Sequence, residues 1–263
     1  MVQIVPLALA KPRDEALARS PLRLVVFQIR FTPVETARDL RSGMSIQEGL
    51  GGADVWRLEP VQTQSFSVST GPEGAPASAF DVSPNGWRLI AEEGGAAITL
   101  LPDSVNLETT AYPGWPTFRK IVDAILQTTA EVLRPEAEVR LALRYINRID
   151  QPAIQTPQDW AGLIDANVLG VLSHKLGPSI TAAQQQLQVK VGESEKATVQ
   201  HGFIRDPVSN RLTYLMDFDT YRDGARPFTQ ESASQAIDSL HTAVLQIFQS
   251  FMTERLYEFL KSE

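Results

Sequence analysis

An apolar strand flanked by arginines and followed by a Thr-Pro-x-acid helix start occurs twice in this chain, about half a chain apart. That echo limits the architectures open to it. Leu22 to Phe31 (LRLVVFQIRF) leads into Thr32-Pro33-Val34-Glu35, and Val139 to Ile149 (VRLALRYINRI) leads, after a short loop, into Thr156-Pro157-Gln158-Asp159. In each, Thr can cap a helix and Pro suits a first helical position whose N–H has no partner anyway. The acid then faces the free N–H groups of the first turn. The expectation is a duplicated unit built on a strand and a following helix. Independent use of one common helix cap would give the same echo without duplication.

The order of elements also repeats. Val34, Ala37, Leu40 and Met44 recur at helical spacing until Gly49, Gly51 and Gly52 stop the run. Trp56 to Val68 alternates with little apolar weight on one face, which suits a sheet edge. Thr70 to Asn85, carrying Gly71, Pro72, Gly74, Pro76 and Pro84, reads as a turn-rich excursion, and short strands at Trp87 to Glu92, Ala97 to Leu101 and Val105 to Thr110 read as a meander. Pro116 opens a helix with Phe118, Ile121, Val122, Ile125 and Val132 on one stripe. The second half runs from the strand at 139–149 through a helix at about 157–172 to extended runs at 183–191, 197–204 and 212–221. One long helix from about 229 to 260, capped by Thr229, finishes the chain.

The expected fold class is therefore α+β, with two related β-α-β(3–4)-α halves, antiparallel sheet and long helices packed on one face. The halves would be residues 21–135 and 136–263 after an N-terminal extension of residues 1–20, and a single continuous domain would satisfy the same order. With 263 residues and 43% hydrophobic content the chain can build a full core in either arrangement. Cysteine is absent, so disulfides and thiolate chemistry are excluded, as fits a reducing compartment or a periplasm. Ile4 to Ala10 is apolar, but no basic residue precedes it, and Lys11-Pro12-Arg13-Asp14-Glu15 follows at once. Neither a signal peptide nor a membrane partner is expected, and the chain reads as cytoplasmic. A net charge of −7 argues against nucleic acid as the sole partner, since phosphate affinity comes mostly from Lys and Arg.

Three separated motifs carry a resemblance. Pro21-Leu22 with Ile29-Arg30-Phe31, the central Leu143-Arg144-Tyr145-Ile146-Asn147-Arg148-Ile149, and Met216-Asp217-Phe218-Asp219-Thr220-Tyr221 together resemble a sporadically distributed family of uncharacterised bacterial proteins. The central motif is the most specific. The resemblance covers most of the chain and implies no activity, cofactor or catalytic residue. A patchy distribution of this kind is seen for mobile or defence-linked genes.

The central strand holds the densest chemistry. Alternation puts Leu141, Leu143, Tyr145, Asn147 and Ile149 on one face and Arg140, Ala142, Arg144, Ile146 and Arg148 on the other. Asp217, Asp219 and Tyr221 share a face of the last strand by the same rule. If the two strands are neighbours, cross-strand ion pairing is the commoner use of such charges. The functional alternative has Arg140, Arg144 and Arg148 gripping an anionic group through forked donors, with Tyr145 or Asn147 shaping a neighbouring pocket. Asp217 and Asp219 could also hold a divalent metal, although no third carboxylate stands at a telling spacing. The three histidines read as structural, with His241 a boundary residue of the last helix, and no phosphate loop, nucleophile elbow or zinc-helix motif is present. Phe248, Phe251, Tyr257 and Phe259 give the last helix a possible dimer contact.

The leading expectation is a non-catalytic module with no cofactor that binds a protein partner, and the chain's net charge of −7 suits a basic one. Its place would be the neutralising or accessory member of a bacterial toxin–antitoxin or phage-defence gene pair. Two alternatives stay open: a metal-dependent enzyme acting on nucleotides or nucleic acid, and a small-molecule sensor using a concave sheet face.

Overall fold

Alternation in two strands decides which way the sheet faces. β1 (Leu22–Phe31) buries Val25, Phe27, Ile29 and Phe31, and turns Val26, Gln28 and Arg30 to the other side. β6 (Ala137–Ile149) likewise buries Leu141, Leu143, Tyr145, Asn147 and Ile149. The two strands pair antiparallel with Phe27 opposite Leu143 and Val25 opposite Tyr145, so their apolar faces coincide. The computed structural model describes residues 7–13, 15–70, 76–151, 153–206 and 210–262, and only the backbone of 63–70, 76–83 and Ser173 within them.

The other strands extend this central pair in both directions. They are β2 (Trp56–Thr70), β3 (Pro76–Ala91), β4 (Ala96–Leu101), β5 (Ser104–Thr109), β7 (Ala183–Lys190), β8 (Glu195–Arg205) and β9 (Leu212–Pro227). Together they form one antiparallel nine-stranded sheet in the order β2-β3-β4-β5-β1-β6-β9-β8-β7. The fold is α+β, with hydrogen bonding that runs unbroken across the junction of residues 135 and 136. The helices are α1 (Leu40–Gly49), α2 (Trp115–Thr128), a single turn α3 (Ala166–Leu169), α4 (Gln230–Ser250) and α5 (Glu254–Lys261). α4 packs on β6 and β9 and touches α2, which buries Phe118, Val122, Ile125 and Leu126. Arg119 ties these two helices by donating to Asp238 Oδ1 at 2.9 Å and Ser234 Oγ at 2.7 Å.

Several sequence expectations change. Thr32 does not cap a helix; the 3-10 turn Glu35–Arg38 begins after Val34 without a side-chain cap. The reason is that Thr32 belongs to the sheet end, where its N–H donates to Ala137 O at 2.9 Å and its Oγ1 accepts from Ala137 N at 3.2 Å. Thr156 does begin a turn, Pro157–Trp160, with Asp159 Oδ2 accepting from Thr156 N at 2.7 Å. The helix expected over 157–172 is instead this turn, α3 and the 3-10 turn Gly170–Ser173. Gly162, at φ +85°, ends the first turn, and Asp165 caps α3 by accepting from Asn167 N at 2.9 Å. This irregular stretch seats the fully buried Trp160 edge-on against Tyr214.

The excursion expected at 70–85 is largely strand, with 71–75 outside the described residues. β3 starts at Pro76, and only Trp87 to Ile90 of it pairs with β4, so Pro84 lies where its missing N–H is owed to no second neighbour. β2 is an edge strand. The final helix is also not continuous: it breaks after Ser250, and Thr253 caps α5 by accepting from Leu256 N at 3.4 Å. At the break Met252 bridges Ile164 and Asp165 N donates to Phe251 O at 2.9 Å, contacts a straight helix could not make. Phe248, Phe251 and Tyr257 are buried in their own chain, and Phe259 is half-buried against the same core.

Candidate functional site

Because side chains alternate, the candidate residues of β6 fall on opposite faces of the sheet and cannot act as one site. On the open face, Arg140 donates to Asp219 Oδ2 at 2.7 Å and to Gln28 Oε1 at 3.2 Å, with its guanidinium 4.5 Å from the centre of the Tyr221 ring. Arg144 donates to Asp217 Oδ1 at 2.7 Å. Arg148 donates to Asp150 and Asp206, each at 2.9 Å. Burial pushes the Asp219 carboxyl above its ordinary range, outweighing the arginines beside it. The arginines are thus engaged by aspartates of their own chain, and Asp217 and Asp219 by arginines. Among the described residues no three His, Asp or Glu side chains are grouped so as to hold a metal ion.

Tyr145 and Asn147 point the other way, into a cavity of about 460 Å³ between the sheet and the helices. Its floor is Tyr145 and Asn147 with Leu22 of β1, and one wall is His241, Leu245 and Phe248 of α4. The opposite wall is Tyr112 to Pro116, where Gly114 at φ +88° turns the chain into α2 and carries Trp115 to the first helical position. Tyr257 of α5 and, from the N-terminal segment, Arg13, Glu15, Ala16, Leu17 and Pro21 add to the lining.

A polar chain crosses one end of this largely apolar space. The Tyr145 hydroxyl lies 3.0 Å from both the Tyr112 hydroxyl and His241 Nδ1. The His241 ring lies flat on Trp115, with centroids 3.7 Å apart and planes at 8°. Desolvation, with the Tyr112 hydroxyl adding to it, pushes the Tyr145 phenol far up, so it remains a neutral hydrogen-bonding group. Asn147 differs from these residues. It is 3% exposed, and its Nδ2 has no hydrogen-bond partner among the described residues.

The N-terminal segment straps the cavity. Arg13 donates to Glu254 through Nη1 at 2.7 Å, and its backbone exchanges hydrogen bonds with Gln249, each at 2.8 Å. Arg13 also sits 4.3 Å over the Tyr257 ring, and Glu15 pairs with Lys261 at 2.6 Å. The hydrogen bond from Arg13 holds the Glu254 carboxyl below its usual range.

The structural histidine is His201. It is buried on β8, 3.0 Å from the Tyr214 hydroxyl and edge-on to Phe251, and burial pushes its pKa down. His241 is more than the boundary residue expected, and Tyr112, Trp115 and Arg13 were not singled out as site residues in the sequence. The available signal was that His241 falls on the apolar stripe of its helix, four residues after Ile237 and three before Val244.

No protein-family model and no curated protein matches the chain. Among solved structures, the crystal structure of the di-domain ARO/CYC StfQ from the steffimycin biosynthetic pathway is 9% identical over 90% of this chain and 97% of that chain, with a TM-score of 0.16. A likeness that slight carries no argument. Among the described residues no helix is long and apolar enough to cross a membrane.

Proposed function

We propose that this protein is a small-molecule-binding module of the sensor kind, whose ligand occupies the cavity between the sheet and α4 and does not sit on the outer face of the sheet. The observation that carries this reading is the cavity itself. Its volume of about 460 Å³ falls in the range of metabolite sites, and its apolar walls converge on a few fixed polar groups. The protein-binding, defence-linked reading would draw on the open face, where the arginines are already held by aspartates of the same chain. The metal-dependent reading meets the same obstacle at Asp217 and Asp219.

Thermal-shift measurement against a panel of metabolites tests the proposal, with Leu245→Trp as a variant that fills the cavity. The expected result is stabilisation of the wild type that rises with ligand concentration and is lost in the variant. Stabilisation of equal size in both proteins would place binding elsewhere.

We also infer that the two halves are copies of one β-α-β(3–4)-α unit. In support, β1 and β6 pair at the sheet centre, and the meander after each brings its last strand, β5 or β9, back beside it. Superposition of residues 22–133 on residues 137–261 tests this, and a failure of β1 with β6, β5 with β9 and α2 with α4 to overlay together refutes it.

A further inference from the structure

We propose, resting on the cavity reading above, that the site selects uncharged, flat, largely apolar molecules bearing a carbonyl-type hydrogen-bond acceptor, and that the side-chain amide of Asn147 receives that acceptor. Asn147 carries the strongest part of this inference. Its Nδ2 is a buried donor without a partner on the cavity floor, opposite Leu22 and Met216 in register. Native proteins rarely leave such a donor unpaired, because it has given up water and gained nothing in exchange. The Tyr112 and Tyr145 hydroxyls are matched with each other and with His241. The amide of Asn147 and the Tyr257 hydroxyl, both buried and without a partner among the described residues, are left to be satisfied from within the cavity, and the amide nitrogen, which can only donate, is the one that calls for an acceptor.

Flatness follows from the walls. Trp115 and His241 form a two-ring slab, and Tyr112, Tyr145, Phe248 and Tyr257 add further rings around the same space. Stacked and edge-on contacts of this kind favour planar apolar bodies. The absence of charge follows from the rim. Arg13 and Glu15, the charged residues lining the cavity among those described, are paired with Glu254 and Lys261. A charged group taken into the interior would find no free counter-ion among the described residues, and an uncompensated buried charge is costly.

The test uses prodan, an uncharged naphthalene carrying a ketone and a dimethylamino group, whose emission shifts to the blue in an apolar site. Dimethylaminonaphthalene, the same ring without the ketone, and anionic anilinonaphthalenesulfonate serve as comparisons. Prodan is expected to bind one per chain. Asn147→Leu and Asn147→Ala, which both delete the donor, the former at similar size, are each expected to weaken it about tenfold. Dimethylaminonaphthalene should bind the wild type and Asn147→Leu alike, and anilinonaphthalenesulfonate should displace prodan poorly.

Prodan binding that is indifferent to both Asn147 substitutions, or equal affinity for the anionic probe, overturns the ligand class. Loss of prodan binding in Leu245→Trp would in that case leave the cavity reading standing. If prodan fails to bind the wild type, or binds Leu245→Trp equally well, both readings fall together.

Discussion

Replacing Asn147 by Leu is expected to make the free protein more stable, although Asn147 lies in the middle of the most distinctive stretch of the sequence. The residue is 3% exposed, and its Nδ2 is unpaired among the described residues. An unsatisfied buried donor costs about 1–3 kcal/mol, which an apolar side chain of similar size removes. Leu is slightly larger than Asn, but its extra volume enters the cavity and not a packed wall, so the overpacking penalty is small. The net expectation is a gain of about 1–2 kcal/mol, read in urea titration as a higher midpoint at unchanged slope. For a chain of this length that corresponds to a rise in Tm of about 2–4 °C. A loss of more than about 1 kcal/mol would refute the reasoning, because it would mean that the amide is paired in the free protein and is not waiting for a ligand. A gain in stability that accompanies a loss of binding is the pattern expected where a protein keeps a local cost for the sake of function.

Four further outcomes are expected. Glu138→Ala strands the Arg222 side chain, 7% exposed and held by two hydrogen bonds of 2.7 Å, and should cost about 3–5 kcal/mol by denaturation, whereas Glu138→Leu with Arg222→Leu should cost much less. Gly202→Ala would place a Cβ 1.9 Å from the carbonyl oxygen of Ala183, so hydrogen exchange should show the amides of β7 losing protection while β6 and β9 keep theirs. Burial depresses the folded-state pKa of His201, so below the unfolded value of about 6.5 the unfolded chain takes up a proton that the folded chain resists. Stability should therefore fall as pH drops from 7.5 through 6, with a shallower fall in His201→Gln. Arg13→Ala removes the strap's tie to Glu254 and should speed prodan dissociation in stopped flow with little change in Tm, because the ion pair is exposed.

The order of elements was legible because the signals behind it are local. Strand alternation at Leu22–Phe31 and Ala137–Ile149 and the helical stripe of α2 depend on residues a few positions apart. Where the reading failed, a distant contact had outweighed a local preference. Thr32 gave up its cap to bond Ala137, more than a hundred positions away, and the break before Thr253 serves contacts with Leu163 to Asp165. A local sign of that break was present, since Thr253 followed by Glu254 is a helix start, but the apolar stripe running through both segments concealed it. The cavity was legible only in part. Tyr145 and Asn147 could be assigned to one face by counting, whereas Tyr112, Trp115 and Arg13 join them through tertiary approach that no spacing encodes.

The motif Leu143 to Ile149 carries two different properties back to back, and one supports the other. On the open face, Arg144 and Asp217 and their neighbours make ion pairs that contribute only about 0.2–1 kcal/mol each where solvent reaches them. Their larger effect is on register. A slip of one residue in β6 would carry Arg140, Arg144 and Arg148 into the apolar face against α4 and turn Leu143 and Tyr145 outward, at the cost of unpaired charges in the core. The pairing of Arg144 opposite Asp219 and Tyr145 opposite Phe218 thus excludes the neighbouring alignments far more strongly than it stabilises the native one. With the register held, Tyr145 meets His241 at 3.0 Å, and Asn147 comes to rest two residues further along the cavity floor. The arginines of the central strand therefore need not touch a ligand to matter to it. Reversing the Arg144–Asp217 pair, by Arg144→Asp with Asp217→Arg, should preserve both stability and prodan binding, whereas Arg144→Leu with Asp217→Leu should loosen the register and broaden the resonances of Tyr145 and Asn147 in NMR spectra. Equal spectra for the two double variants would show that apolar alternation alone fixes the strand.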